Sequence, residues 1–261
     1  EFTIVVPLCS KSVREILVDE WENKSTFIDQ LRWKYDHLYQ KIAEHPFLLE
    51  IEDGELPLEK FLFYAKQNEY YISELRAAAS AGASRATTDS ERRIMMMLVN
   101  MFPLELSEYC FGKLAVAAGV SNEEIKAILE DPDFPLPATR AYTDFMYKEF
   151  ATKPVGVAIA SFITCPWTYN SVDIGGLSCG KTFAKALVDH YGVDKKIADE
   201  YINHYETDEN FAIGIKTLKD AVNGAAESGG PKMKKILESN FKRDVEYEYM
   251  FWDMAYKHDS D

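Results

Sequence analysis

Apolar residues recur at three- and four-residue steps along almost the whole chain, and no segment alternates apolar and polar residues long enough to make a half-buried strand. That period confines the chain to an all-α fold. Phe27, Leu31, Leu38 and Ile42 mark the inner face of a first long helix, which should stop at His45-Pro46 because the residue before proline is pushed out of the α region. His45 is expected to cap the C-terminus of that helix. Pro57 opens a second helix that carries Phe61, Tyr64, Asn68, Tyr71 and Leu75 on one face. A methionine-rich helix is expected from about Ser90 to Ala118, kinked at Pro103 and closed by Gly119. Ser121-Asn-Glu-Glu124 is a capping box for a helix to about Glu130, and Pro137 releases another that includes Tyr142. Pro154 to Val172 contains Cys165 and reads as a core helix. Further helices are expected over about Lys181–Tyr191, Lys195–Tyr205, Asn210–Ala226 and Pro231–Lys257.

Composition narrows the classes of function. With 43 acidic against 29 basic residues, a net charge of −14 opposes binding to nucleic acid or to an anionic membrane, which both need a positive patch. The 261 residues show no linker and no shift of composition, so residues 1–261 are expected to form a single domain, with residues 1–20 an extension that need not belong to the natural chain. Pro154 to Val172 is uncharged, but Pro166, Asn170 and several hydroxyls suit a core helix better than a membrane span. Cys9, Cys110, Cys165 and Cys179 have no CxxC spacing, which fits reduced thiols and a cytoplasmic location.

Several motifs admit a chemical and a bland reading. Gly175-Gly-Leu-Ser-Cys-Gly180-Lys181-Thr182 satisfies the phosphate-loop pattern, yet no buried strand precedes it, so it reads as a glycine-rich turn between helices. The five histidines form no HxxxH or ExxH pair, and no metal site is expected. Met95, Met96, Met97 and Met101 read as core filler. Tyr71, Tyr142, Tyr169, Tyr205 and Tyr249 lie on segments expected to be buried; their phenols either converge on a cavity for a flat polar ligand or are dispersed structural groups. Cys165 is either an inert small hydrophobe or a nucleophile, and Glu248, alone among aromatics, either a salt-bridging residue or an acid/base.

Five segments in order resemble the TenA/thiaminase II family: His45-Pro-Phe-Leu-Leu-Glu-Ile-Glu-Asp-Gly54, Gln67-Asn-Glu-Tyr-Tyr71, Ala141-Tyr-Thr-Asp-Phe-Met-Tyr147, Thr164-Cys-Pro-Trp-Thr-Tyr169 and Tyr247-Glu-Tyr-Met-Phe-Trp-Asp-Met-Ala-Tyr256. The resemblance implies a haem-oxygenase-like helical bundle, hydrolysis of an aminopyrimidine in thiamin salvage without metal or cofactor, and a homo-oligomer, commonly a tetramer. It implies Cys165 as nucleophile and Glu248 as proton shuttle, with Tyr71, Tyr142 and Tyr205 as pocket tyrosines and Tyr169 sharing the side of Cys165. Asn68 stands where the family has an aspartate that grips the pyrimidine; an amide donates and accepts but carries no charge. A non-catalytic or slow pyrimidine-binding protein, and another chemistry on the same fold, stand as alternatives.

Overall fold

A computed structural model describes residues 25–170 and 178–258, and all regular structure among them is helical. The expected extension at residues 1–20 and positions 175–177 of the glycine-rich pattern lie outside these residues.

The first expected helix is two: α1 (Phe27–Lys34) and α2 (Asp36–Ala43). The chain turns at Tyr35, whose backbone sits near the bridge region (φ −103°, ψ 16°) while its phenol donates to Glu238 at 2.9 Å. His45 caps the following helix rather than the preceding one. It is extended at the N-cap of α3 (Pro46–Glu52), with Nδ1 accepting from the amide of Phe47 at 3.2 Å. That acceptor role needs a neutral ring, and burial lowers the pKa of His45.

α4 (Leu58–Arg85) runs 28 residues and buries Phe61, Tyr64, Tyr71 and Leu75 on the expected face. It packs along α5 (Asp89–Met101) and α8 (Pro137–Thr152). The methionine-rich helix ends at Met101 instead of kinking at Pro103, because Phe102 before the proline is extended (φ −122°, ψ 106°). The guanidinium of Arg76 donates to the carbonyls of Phe102 (3.2 Å) and Pro103 (3.0 Å), so the freed acceptors are satisfied. A 3-10 turn, Leu106–Glu108, leads to α6 (Cys110–Ala118). The capping box is present at the start of α7 (Asn122–Glu130), where Ser121 and Glu124 bond each other's amides at 3.1 and 2.9 Å.

The segment read as one helix around Cys165 is split into α9 (Val155–Ile159) and α10 (Thr164–Tyr169). Pro166 sits in the first turn of α10, where a missing N–H has no intrahelical partner to lose. α11 (Cys179–Tyr191) and α12 (Lys195–Glu206) pair with each other, and α13 (Glu209–Lys257) closes the bundle. α13 is interrupted where the sequence suggested, at Gly230 (φ 63°, ψ −161°) before Pro231, a conformation that glycine adopts without penalty.

Buried side chains form one continuous core, in which Tyr64 stacks on Trp252 with centroids 4.6 Å apart and Phe47 meets both rings. Each such ring contributes roughly 1.5–3 kcal/mol by leaving water. Gly180, the second glycine of the phosphate-loop pattern, has a packing reason: a Cβ there would lie 2.7 Å from Tyr201 Oη and 3.0 Å from a ring carbon of Tyr169. None of the described helices is long and apolar enough to cross a membrane.

Candidate active site

Five helices aim side chains at one interior space. α4 supplies Tyr64, Asn68 and Tyr71, whose four- and three-residue steps put them on one face. α8 supplies Tyr142, α12 supplies Tyr205, and the second half of α13 supplies Glu248 and Phe251. α10 supplies Cys165 and Tyr169, one turn apart. Asn68, Tyr71, Cys165 and Tyr169 line both an outer chamber and a narrow inner one. Tyr205 and His204 border the outer chamber; Tyr142 and Glu248 border the inner one. All seven residues singled out in the sequence for the site therefore reach this space. Tyr249 does not: it packs edge-on against His45, with centroids 5.3 Å apart.

The aromatic walls are braced from outside. Tyr71 and Tyr142 lie 4.9 Å apart between centroids, Tyr247 stacks on Tyr142 at 5.4 Å, and Tyr205 meets Tyr169 at 5.5 Å. The phenols of Tyr64 and Tyr169 bond each other. Tyr71 Oη is buried without a hydrogen-bond partner, although the Cys165 thiol and Tyr142 stand near it. An orphaned phenol on a cavity wall is a group that a bound polar ligand would satisfy. The Asn68 side chain likewise makes no hydrogen bond to protein among the described residues.

The deepest polar groups are two carboxylates. Asp244, fully buried one turn before Glu248, accepts from the Thr164 amide at 2.7 Å through Oδ2 and from Tyr142 Oη at 2.7 Å through Oδ1. Tyr142 Oη also lies 3.3 Å from Glu248 Oε2. Neither carboxylate has a salt-bridge partner among the described residues. Burial pushes Glu248 up to about 8, helped by the negative charge of Asp244, and burial pushes Asp244 up to about 7 against the hydrogen bonds that favour its charged form. The Cys165 thiol is held well above its ordinary value by burial and by the charges of Glu248 and Asp244. At neutral pH the side chain is therefore a neutral thiol.

Asp244, Tyr64 and His204 were not singled out for the site in the sequence. The Asp244-x-x-x-Glu248 spacing, which puts both carboxylates on one face, is the signal that could have found the first. Glu69, next to Asn68, does not replace its missing charge: it is turned away from the cavity and engaged by the Tyr109 phenol.

This helical arrangement is that of haem-oxygenase-like proteins. The chain is similar to a domain from Shewanella denitrificans described as having a heme oxygenase-like fold (TM-score 0.67, 12% identity, 88% of this chain and 92% of that one). It is also similar to the TenA homologue from P. horikoshii OT3 (TM-score 0.65, 22% identity, 89% and 99%). Residues 32–258 match the sequence model of the TENA/THI-4/PQQC family, and the chain belongs to that family. Its relatives include the aminopyrimidine aminohydrolase of Bacillus subtilis, 26% identical over 218 residues (82% of each chain), and that of Halalkalibacterium halodurans, 28% identical over 231 residues (88% of this chain and 96% of that one).

Proposed function

We propose that this protein is a hydrolase of thiaminase II type, which replaces the amine on the methylene carbon of an aminopyrimidine with water. The observation that carries the reading is the meeting of the Cys165 thiol, the Glu248 carboxyl, the Asn68 amide and the phenols of Tyr71, Tyr142 and Tyr169 on one buried, aromatic-walled space. Relatives named aminopyrimidine aminohydrolases support the substrate class.

In this reading the ring lies between the tyrosine walls, with Asn68 bonding its nitrogen edge. The Cys165 sulfur forms a bond to a ring carbon, breaking aromaticity. Glu248, protonated at neutral pH, gives its proton to the amine nitrogen as the C–N bond breaks, and the thiol's proton replaces it on the carboxyl. Water then adds to the exocyclic carbon, and its proton passes through Glu248 to the sulfur as the C–S bond breaks and aromaticity returns. Atoms balance: one amine leaves and one water enters.

The test is incubation with an aminomethyl-aminopyrimidine and with thiamin, following hydroxymethylpyrimidine by chromatography for the natural chain and for Cys165→Ser. Product formation that disappears in Cys165→Ser is the expected result; equal rates in both would overturn the reading. A second reading, ligand binding without turnover, is favoured by the uncharged Asn68 and the un-ionised thiol. It predicts saturable pyrimidine binding that survives alkylation of Cys165, with no product.

A further inference from the structure

One buried group next to this site has no part in the reaction as written: Asp244. Its two oxygens are spoken for by groups far apart in the chain, the Thr164 amide at the N-terminus of the cysteine-bearing helix and the Tyr142 phenol on α8. Donors on both oxygens, with the Thr164 hydroxyl beside them, suit the ionised form. The phenol carries a single proton, and at 2.7 Å that proton belongs to Asp244. Its second contact, to Glu248 Oε2, is longer at 3.3 Å, so Glu248 receives the weaker share of that donor. Asp244 thus holds the phenol's proton and draws it away from the charged form of Glu248.

We propose that Asp244 is a positioning residue: through one oxygen it anchors the start of the Cys165 helix, and through the other it orients Tyr142 so that the proton of the pair resides on Glu248. The proposal rests on the catalytic reading of Glu248 given above. The other titratable groups facing the pair are Tyr64 and Tyr71 from α4, Cys165 and Tyr169 from α10, Tyr39 from α2 and Cys179 from α11. All of these are neutral at physiological pH. Asp244 is therefore the one negative charge acting on Glu248 from these elements, and its direction of influence agrees with its hold on the phenol: it makes ionisation of Glu248 harder.

The sign follows. Removing the charge at position 244 makes Glu248 easier to ionise, so its protonated form is lost at lower pH. In Asp244→Asn the alkaline limb of the kcat profile should move down by about one pH unit, with kcat lower by about fivefold at pH 8 and KM changed little. A purely structural role would reduce activity at all pH values and leave the limb in place. Tyr142→Phe removes the phenol from both carboxyls but keeps the bond that the Thr164 amide donates to Asp244, and covers the case in which Asp244→Asn does not fold.

A readout independent of turnover separates this inference from the proposed reaction. The carbonyl stretch of the protonated carboxyl, identified by its disappearance in Glu248→Gln, is followed by infrared spectroscopy against pH. Its midpoint should fall by about one unit in Asp244→Asn and hold or rise in Tyr142→Phe, where Glu248 loses a donor that favours its charged form while Asp244 keeps its charge. An unchanged midpoint in Asp244→Asn, or a fall in Tyr142→Phe, would overturn the role of Asp244, whereas the expected pair of shifts in a protein that turns over no aminopyrimidine would sustain it and defeat the catalytic reading alone.

Discussion

Helices α4 and α13 each bury a carboxylate beside a tyrosine, and the two sites have opposite surroundings. Glu69 on α4 accepts from the Tyr109 phenol and feels the positive charge of Arg76, both of which favour its ionised form; burial outweighs them and raises it to about 7. Its neighbours are structural. Tyr109 is the N-cap of α6 and Arg76 holds the Phe102 and Pro103 carbonyls, so the cluster ties down the connection between α5 and α6. Glu248 on α13 has no cation, shares its phenol with a second carboxylate and faces the inner chamber. The comparison teaches that a strongly raised carboxyl is not by itself a functional signal. What separates the two is access to the cavity and a proton neighbour in Asp244 in place of a positive charge.

The sharpest way to break this contrast is stability against pH. A carboxyl whose folded pKa lies above its ordinary value of 4.5 binds its proton more tightly when folded, so its contribution is complete at acid pH and is lost as pH rises through the folded value. Unfolding by urea should therefore show the natural chain losing a few kcal/mol between pH 5 and pH 8.5. Glu248→Gln should remove the largest single share of that slope, Asp244 holding a comparable one, and Glu69→Gln a smaller share that reaches only to about pH 7. Equal slopes in all three proteins would contradict the assigned environments.

A smaller effect sharpens the reading of the cavity itself. Asn68→Asp restores a negative charge to a side chain that lines both chambers. KM for the aminomethyl substrate should drop about three- to tenfold, because a carboxylate grips a protonated ring and amine more strongly than an amide does. An unchanged KM would place the ring's nitrogen edge elsewhere.

Much of this framework was legible before the structure. The Phe61-to-Leu75 face, the Ser121 capping box, the Pro137 helix start and the Gly230-Pro231 break are all decided by residues within a turn or two of one another. The misread boundaries were decided from farther away. The turn at Tyr35 accompanies its bond to Glu238, 203 residues on, and the Thr164 amide that α10 leaves free finds Asp244, 80 residues on. His45 could serve either helix end by composition, and only the geometry at Phe47 assigns it. At the site, Cys165, Glu248, Asn68 and the tyrosines were reached by resemblance to a family and lie on one cavity. Asp244 was missed because both of its partners are distant in sequence, the Tyr142 phenol by 102 residues.

The most direct test of the central claim, that Glu248 does chemistry where Glu69 only holds structure, is hydroxymethylpyrimidine release measured side by side in Glu248→Gln and Glu69→Gln, with folding checked by circular dichroism. The account predicts a fall in kcat of about 10²–10⁴-fold for Glu248→Gln and a change within about threefold for Glu69→Gln. Comparable losses in the two folded variants, or full activity in Glu248→Gln, would contradict it.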